Sequence, residues 1–246
     1  MILAAGLGTR LKPLTDTMPK ALVPVGGRPL LDININRLRE QGYGHFVVNV
    51  HHFAQQIVDH VQQQDYASQV RFSDETEQLL ETGGGLKKAA PLFNAGAPIL
   101  IHNVDILDNV DYDWFSRQHQ AAEDAVLLVS RRKTKRYLLF DDDMRLVGWK
   151  NIETGEVKSP APLPASVHAF AFSGIHSFSP RLFPLMERFP ERFSIIDFYL
   201  NVCHHSRIVG LPKDDLQVLD VGKLDTLSEA EQFVSSHRTN SNIANS

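Results

Sequence analysis

The first half of the chain alternates short apolar runs with segments of helical periodicity. Leu31, Ile35 and Leu38 lie about one turn apart, which predicts a helix over residues 29–41 that ends before Gly42. By the same criteria, strands are predicted at 2–5, 45–50, 69–73, 97–102 and 125–131, and helices at 53–61 and 83–93. Because strands and helices alternate, we predict an α/β fold whose neighbouring strands pair in parallel.

The pattern changes after residue 131. Apolar segments at 137–140 and 145–149 flank the acidic turn Asp141-Asp142-Asp143, which predicts an antiparallel hairpin. Further strands are predicted at 167–178, 207–211 and 217–221, and helices at 179–189, 194–203 and from Leu224 onward. With no internal repeat and no linker, residues 1–234 are predicted to form a single domain, followed by a polar, disordered tail over 235–246.

Composition narrows the class of protein. The chain has 246 residues, 43% hydrophobic and 22% charged, which is ordinary for one large globular domain. Its net charge of −4 argues against a nucleic-acid surface, and no apolar run approaches the length of a membrane span. The single cysteine, Cys203, excludes an internal disulfide and fits the reducing cytoplasm.

A glycine turn after the first apolar run is the strongest indication of chemistry. Gly6-Leu7-Gly8-Thr9-Arg10 follows the predicted strand, and Lys20 comes ten residues after Arg10. Glycines let backbone N–H groups approach a phosphate closely, and the two cations would neutralise it. A dinucleotide-binding loop would need a third glycine where Leu11 stands, and the Gly-Lys-Ser/Thr of a Walker loop is absent. The structural alternative is a tight turn with solvated cations.

The whole run from Leu3 to Val25, LAAGLGTRLKPLTDTMPKALVPV, resembles the N-terminal motif of sugar nucleotidyltransferases. That motif is L-A-A/G-G-x-G-T-R-L-x-P-L-T, followed by P-K-x-L-x-P-V. The resemblance implies a Rossmann-like, GT-A-like fold with a mixed, mostly parallel central sheet flanked by helices. A small antiparallel portion would bind the sugar.

The resemblance also implies a reaction. A sugar 1-phosphate would attack the α-phosphate of a nucleoside triphosphate, giving a nucleotide-sugar and pyrophosphate. Arg10 would hold the β- and γ-phosphates, and Lys20 the α-phosphate and the incoming sugar phosphate. The other nucleotide-binding residues implied are Leu3, Ala4, Ala5, Gly6, Gly8, Thr9, Thr82, Gly83, Gly84 and Asn103.

Two aspartates are candidate magnesium ligands. Asp105 ends the segment Asn103-Val104-Asp105 after a buried strand, where open α/β sheets bind ligands. Leu219-Asp220-Val221-Gly222 resembles the family element W-x-D-I/V-G, with Val218 in place of the tryptophan. The resemblance implies that Asp105 and Asp220 bind Mg²⁺, a cation that takes one or two carboxylates and completes its shell with phosphate and water.

The segment Glu81-Thr82-Gly83-Gly84-Gly85 resembles the family's glycine segment beside the nucleotide base. An alternative is a helix start capped by Thr82, with free N–H groups in its first turn. Both functions can coexist. Three consecutive glycines favour a close backbone approach to a ligand over stability alone.

The sugar side departs from many relatives. Many relatives hold sugar hydroxyls and phosphate with a Glu-Lys pair, of which Lys150 matches the lysine and Trp149 replaces the glutamate. Phe172 replaces the asparagine of their N-T/A-G-I element. Phe172-Ser173-Gly174-Ile175, with the glycine segment, resembles the branch that joins N-acetylmuramate α-1-phosphate to UTP for cell-wall synthesis. Lys150, Ser173 and Gly174 are therefore candidate sugar-binding residues, with Arg136 or Lys135 as the cation for the lactyl carboxylate.

Two alternatives remain open at this point. One keeps the reaction but uses mannose or heptose 1-phosphate with GTP, or another hexose 1-phosphate. The other is a regulatory subunit that senses nucleotide-sugars without catalysis. The predicted partners are a nucleoside triphosphate and a sugar 1-phosphate, with no nucleic acid and no membrane, and the chain is expected to be a cytoplasmic monomer or dimer.

Overall fold

The computed structural model describes residues 1–94 and 96–243, with side chains as far as Ser236. The described strands are β1 (Ile2–Leu3), β2 (Pro24–Val25), β3 (Arg28–Pro29), β4 (Phe46–Val50), β5 (Val70–Asp74), β6 (Ile99–Asn103), β7 (Ile106–Asp108), β8 (Ala125–Ser130), β9 (Arg136–Phe140), β10 (Leu146–Asn151), β11 (Val157–Lys158), β12 (His168–Phe178), β13 (Ile208–Pro212) and β14 (Val218–Asp220). The described α-helices are α1 (Leu30–Glu40), α2 (Ala54–Gln62), α3 (Glu81–Ala89), α4 (Tyr112–Arg117), α5 (Phe183–Met186), α6 (Ile195–Val202) and α7 (Leu227–Ile243).

The chain divides into two compact units, each built from separate segments. Unit 1 comprises Met1–Leu79, Asn103–Tyr112 and Gln217–Ser246, and unit 2 comprises Leu80–His102 and Asp113–Leu216. The chain therefore passes from one unit to the other without a linker that composition could reveal. The single domain over 1–234 stays a prediction.

In unit 1, three strands pair in parallel in the order β1, β4, β5, with Leu3 opposite Asn49 and Asn49 opposite Ser73. The strands β7 and β14 form a separate antiparallel pair in which Asp220 lies opposite Ile106. This short pair joins two segments that are more than 100 residues apart in the sequence.

The core of unit 1 packs the glycine-turn segment against the last helix. Leu11, Val23 and Leu30 are fully buried together with Leu107 of β7 and Val221 just after β14. Ala230 and Val234 of α7 belong to the same cluster, which also includes Val25 and Ile33. Burial of such side chains stabilises the folded state by about 1.5–3 kcal/mol each. The apolar positions therefore fix the backbone of the segments that carry Arg10, Lys20, Asp105 and Asp220.

In unit 2, the long strand β12 is antiparallel to β6, β8 and β9. β8 also pairs in parallel with β13, and β9 continues through β10 to β11 in antiparallel order. An aromatic cluster fills the core on one side of this sheet, where Phe198 lies between Phe178, Phe189 and Phe193 with ring centroids 5.1–6.5 Å away. The antiparallel portion predicted from the 137–149 hairpin belongs to this unit.

The predicted α/β class and mixed sheet flanked by helices are confirmed. Parallel pairing is concentrated in unit 1, and most strand pairs of unit 2 are antiparallel. The structure therefore has more antiparallel pairing than the alternation of strands and helices predicted. The helix predicted at 179–189 is a 3₁₀ turn, Pro180–Leu182, followed by the four-residue α5, since Pro184 and Pro190 limit regular backbone bonding.

The predicted tail needs a correction in part. Helix α7 continues through Ile243, so residues 235–243 are helical, because no glycine or proline follows Leu227 to end the helix. Residues 244–246 lie outside the described part of the chain. Among the described residues, no helix combines the length and apolarity that crossing a bilayer requires.

Candidate active site

In unit 1, Lys20 and Asp105 form an ion pair between Nζ and Oδ2. Their side chains are only 11% and 18% exposed, so the pair is largely removed from water. Lys20 starts a 3₁₀ turn, Lys20–Leu22, and Asp105 lies between β6 and β7. A second hydrogen bond anchors Asp105, whose carbonyl accepts from the Val221 N–H at 2.8 Å.

Arg10 and Asp220 form a second, more exposed pair, with 3.7 Å between Nη2 and Oδ2. Gly222 makes this approach possible. A Cβ at position 222 would stand 2.5 Å from both Arg10 Nη2 and Asp220 Oδ1. The sequence indicated no separate role for Gly222, although this glycine belongs to the matched Asp-Val-Gly element.

The two pairs belong to one electrostatic cluster. Partial burial and then the neighbouring Asp105 carboxylate raise the pKa of Asp220, while Lys20 and Arg10 lower it. The structure thus brings together all four residues predicted to be catalytic. Two carboxylates whose mutual repulsion raises a pKa favour a bound cation. The candidate metal ligands are the carboxylates of Asp105 and Asp220. Within the described part of the chain, no group of three or more His, Cys, Asp or Glu residues could hold a metal ion.

Gly8 connects the two halves of the N-terminal motif. Its φ of +63° lies in the left-handed region, and an added Cβ would be 3.0 Å from Lys20 Cβ and 2.9 Å from Thr15 Cγ2. The Gly8 carbonyl accepts hydrogen bonds from the Leu11 N–H and the Thr15 hydroxyl, both at 2.8 Å. Gly8 therefore holds the loop against the lysine.

The remaining loop positions differ in what they can offer a ligand. Gly6 and Thr9 are exposed, and no atom lies within 4 Å of a Cβ built on Gly6. Protein packing therefore does not explain the glycine at position 6, which leaves room for a ligand. By contrast, the Leu3 carbonyl accepts from the Val104 N–H at 3.1 Å, and the Ala4 N–H donates to Asn49 Oδ1 at 2.7 Å. Ala5 is buried, and Asn103 ends β6.

The triple-glycine segment in unit 2 has a packing role that the sequence did not reveal. A Cβ on Gly83 would be 2.4 Å from the Phe193 ring, and one on Gly84 would be 2.1 Å from the Glu191 carbonyl oxygen. The N–H groups of Gly83 and Gly84 both donate to the Phe193 carbonyl. Close packing of α3 against residues 191–193 thus suffices to require glycine at both positions.

The alternative prediction, that Thr82 caps the start of the helix it belongs to, is wrong. Helix α3 begins at Glu81, and Leu80 precedes it without a side-chain cap. The Thr82 hydroxyl instead accepts a hydrogen bond from the Ile195 N–H at 2.9 Å, at the start of α6. Ser194 is the N-cap of α6, and Thr82 adds an acceptor for the first N–H of that helix, more than 100 residues later in the chain. Local sequence does not indicate this contact.

A cavity of about 500 Å³ in unit 2 lies between β9, β10 and α6. Its apolar lining includes Leu138, Trp149, Phe172, Ile196 and Leu200, and its cations are Arg132, Arg136 and Lys158. Lys158 is paired with Asp197 at 3.1 Å and lies over the Trp149 ring. Lys135 does not line the cavity, and its Nζ pairs with Glu153 at 2.7 Å.

The other candidate sugar-binding residues have different surroundings. Lys150 is not among the cavity-lining residues, although its neighbour Trp149 is. Ser173 is buried, and its hydroxyl donates to the Leu128 carbonyl at 2.8 Å. Gly174, with φ of +83°, lies where the pairing of β12 with β8 shifts register. Structural roles thus account for Ser173 and Gly174.

The family model described as Nucleotidyl transferase matches residues 1–237, and the chain belongs to that family. This match confirms the resemblance inferred from the N-terminal motif.

The chain is 45% identical over 108 residues to N-acetylmuramate alpha-1-phosphate uridylyltransferase of Caulobacter vibrioides, covering 43% of this chain and 44% of the relative. The protein of the same name from Neisseria meningitidis serogroup B is 41% identical over 113 residues, 46% of this chain and 48% of the relative. The matched region thus spans less than half the length of these relatives.

A longer match joins 89% of this chain to 61% of a putative mannose-1-phosphate guanyltransferase from Sulfolobus acidocaldarius, at 26% identity. Among solved structures, HddC from Yersinia pseudotuberculosis complexed with GMP-PN superposes with a TM-score of 0.72 and 24% identity. That superposition covers 94% of this chain and 96% of HddC, and it supports the fold.

Proposed function

We propose that this protein is a sugar-1-phosphate nucleotidyltransferase that joins UTP to N-acetylmuramate 1-phosphate. The observation that carries the reaction class is the cluster of Arg10, Lys20, Asp105 and Asp220 beside an open glycine loop. The product would be a nucleotide-sugar for cell-wall synthesis. A cytoplasmic location fits a chain whose single cysteine, Cys203, is buried and free.

In the proposed reaction, an oxygen of the sugar 1-phosphate attacks the α-phosphorus of the triphosphate. A new P–O bond forms while the bond from the α-phosphorus to the β-bridging oxygen breaks, and pyrophosphate leaves with that electron pair. The attacking phosphate is already charged, so the protein supplies position and charge rather than a nucleophile.

Arg10 and Lys20 stabilise the phosphates in this scheme. Arg10 holds the β- and γ-phosphates, since its guanidinium is exposed and fork-shaped donors bind phosphate oxygens in pairs. Lys20 holds the α-phosphate and the incoming sugar phosphate. Their pairing with Asp220 and Asp105 orients both cations before substrate binds.

Asp105 and Asp220 are the proposed magnesium ligands. The donor set fits, because Mg²⁺ prefers carboxylate oxygens and keeps positions for phosphate and water. When bound, Mg²⁺ would neutralise charge on the phosphate oxygens as the transition state forms. The contribution of the chain is to hold two carboxylates together through the β7–β14 pair, despite their repulsion.

The nucleotide-binding roles of Gly6 and Thr9 rest on the family resemblance together with their exposure, and those of Leu3, Ala5 and Gly8 rest on the resemblance. The roles of Thr82, Gly83, Gly84 and Asn103 rest on the resemblance alone. The Ala4 N–H is already donated to Asn49, so nucleotide contacts from this stretch would come from other backbone groups.

The unit 2 cavity supports N-acetylmuramate over a plain hexose. Trp149 and Phe172 give the cavity apolar surface, and Arg136 adds a cation. A lactyl ether carries both a methyl group and a carboxylate, so it matches such a lining. The relatives named N-acetylmuramate alpha-1-phosphate uridylyltransferase favour the same substrate.

The proposed role of Arg136 in carboxylate recognition is tested by comparison with its neighbour Lys135. Arg136→Ala should raise KM for N-acetylmuramate 1-phosphate about tenfold, the cost of one charge-assisted contact, without changing KM for UTP. Lys135→Ala is the matched control, because Lys135 pairs with Glu153 and does not line the cavity. An unchanged sugar-phosphate KM in Arg136→Ala would remove this residue from carboxylate recognition.

The alternative substrates are mannose or heptose 1-phosphate with GTP, and the Sulfolobus acidocaldarius match favours mannose among them. The discriminating experiment measures pyrophosphate release with UTP, GTP, CTP, dTTP and ATP against five sugar 1-phosphates. The sugars are N-acetylmuramate, N-acetylglucosamine, glucose, mannose and heptose. The highest kcat/KM is expected for UTP with N-acetylmuramate 1-phosphate. A higher value for GTP with mannose or heptose would select the alternative, and binding without turnover would indicate a sensing subunit.

A further inference from the structure

The carboxyl ends of β1, β4 and β5 carry a hydrogen-bonded chain of buried polar groups within unit 1. The Ala4 N–H donates to Asn49 Oδ1 at 2.7 Å, and Asn49 Nδ2 donates to Glu75 Oε1 at 2.7 Å. Asn49 is 2% exposed and Glu75 is 0% exposed. We name this chain the Asn49–Glu75 relay.

Strand pairing does not by itself require polar side chains at positions 49 and 75. β4 reads Phe-Val-Val-Asn-Val and is fully buried, so an apolar residue at position 49 would fit the pattern of its neighbours. Burying an amide or a carboxyl group costs about 1–3 kcal/mol unless it is hydrogen-bonded. The asparagine at position 49 is therefore better explained by the backbone group that it holds, the Ala4 N–H.

At the Glu75 end, backbone hydrogen bonds fix the relay in place. The Glu75 N–H donates to the Val50 carbonyl at 2.7 Å, and the Glu75 carbonyl is 2.6 Å from His51 Nδ1. The backbone of Glu75 is thus fixed to the end of β4. Its carboxyl group then orients the Asn49 amide so that Oδ1 faces Ala4.

At the other end, the relay meets the start of the glycine loop. Ala4 is the first residue after β1, and Gly6, Leu7, Thr9 and Arg10 follow as exposed positions. The Leu3 carbonyl, one residue earlier, is held by the Val104 N–H. The loop therefore leaves the sheet in a direction set by two fixed backbone groups.

We infer that Asn49 and Glu75 are positioning residues that fix the course of the glycine loop for triphosphate binding. This inference rests on the proposed function, since it assigns the loop to the nucleotide. Neither side chain need touch the substrate. Their loss would misplace the loop, and errors of about 1 Å can cost up to about 100-fold in catalysis.

The test separates the two substrates kinetically. Asn49→Ala should raise KM for UTP about tenfold, as for other orienting partners, while KM for the sugar 1-phosphate stays within about twofold. Tyr66→Phe is the control for general destabilisation, because it removes a buried hydrogen bond to Asp32 elsewhere in unit 1. A rise in both KM values, or the same rise in Tyr66→Phe, would overturn the inference.

Conservative variants add a rescue experiment. Glu75→Gln keeps an acceptor for Asn49 and should leave KM for UTP near the wild-type value. Asn49→Asp places a second carboxyl group next to that of Glu75 and should raise KM for UTP. Adding Glu75→Gln to Asn49→Asp lets the glutamine amide donate to the aspartate, which still accepts from Ala4. The double variant should recover UTP affinity, and failure to recover in a folded double variant would contradict the relay.

Direct binding distinguishes this inference from the proposed function. If wild-type protein turned over no substrate pair, the proposed function would fail, and titration calorimetry with UTP would still test the relay. Weaker UTP binding by Asn49→Ala, with binding intact in Glu75→Gln, supports it. Equal binding by wild type and Asn49→Ala overturns it.

Discussion

At the scale of single residues, charge and close contact account for the candidate site. Lys20 with Asp105 and Arg10 with Asp220 neutralise one another, and each cation also acts on Asp220. The sequence predicted all four residues because they stand in motifs that resemble a known family. It did not predict Gly222, Asn49 or Glu75, whose roles depend on neighbours from distant segments.

Gly222→Ala tests whether the close approach of Arg10 to Asp220 is needed for activity. The new methyl group would lie 2.5 Å from Arg10 Nη2 and Asp220 Oδ1, so the flexible guanidinium should move away. We expect kcat/KM for the triphosphate to fall about tenfold or more, as when one transition-state contact is lost, with the melting temperature little changed. Arg10→Ala should give the same defect. Normal kinetics in Gly222→Ala would argue against a functional Arg10–Asp220 pair.

At the scale of elements, short strands and glycine contacts decide where the chemistry lies. The strand β7 has three residues and was not predicted, because so short a run gives no periodicity. Its pairing with β14 nevertheless places Asp220 next to Asp105. The longer elements α1, β4, α2 and β12 follow their apolar patterns closely.

The glycines of α3 provide a test at this scale. A Cβ on Gly84 would stand 2.1 Å from a backbone oxygen, which cannot rotate away as a side chain would. Gly84→Ala should therefore lower the free energy of unfolding by about 1–3 kcal/mol, as overpacking does. Urea unfolding measures this change, and Gly44→Ala is the control, since no atom lies within 4 Å of its added Cβ. Equal stability of both variants would refute the packing role.

At the scale of the whole molecule, the α/β class was predictable from the sequence, whereas the division into two units was not. Each unit is assembled from segments far apart in the chain, so no boundary appears in local composition. Burial is likewise a property of the assembled fold. His176 in β12 is 1% exposed, and neither ring nitrogen has a hydrogen-bond partner among the described residues.

His176 makes global stability depend on pH. Burial lowers the pKa of His176 from 6.5 to about 3, so the folded state keeps this ring neutral while the unfolded state binds a proton below pH 6.5. Stability should therefore be full above pH 6.5 and fall as the pH drops toward 3, by up to about 1.4 kcal/mol per pH unit. Urea unfolding at pH 7 and pH 5 should show a smaller loss for His176→Leu. The same loss in both proteins would contradict this assignment.

We propose that Arg10, Lys20, Asp105 and Asp220 form one centre for nucleotidyl transfer. The most direct test is kcat for pyrophosphate release by Asp105→Asn at saturating UTP, N-acetylmuramate 1-phosphate and Mg²⁺. Asp16→Asn serves as the control, because Asp16 is an exposed partner of Lys12. We predict a fall of at least about 100-fold for Asp105→Asn, with an unchanged fold by circular dichroism and normal turnover in the control. Near-normal turnover in Asp105→Asn would contradict the account.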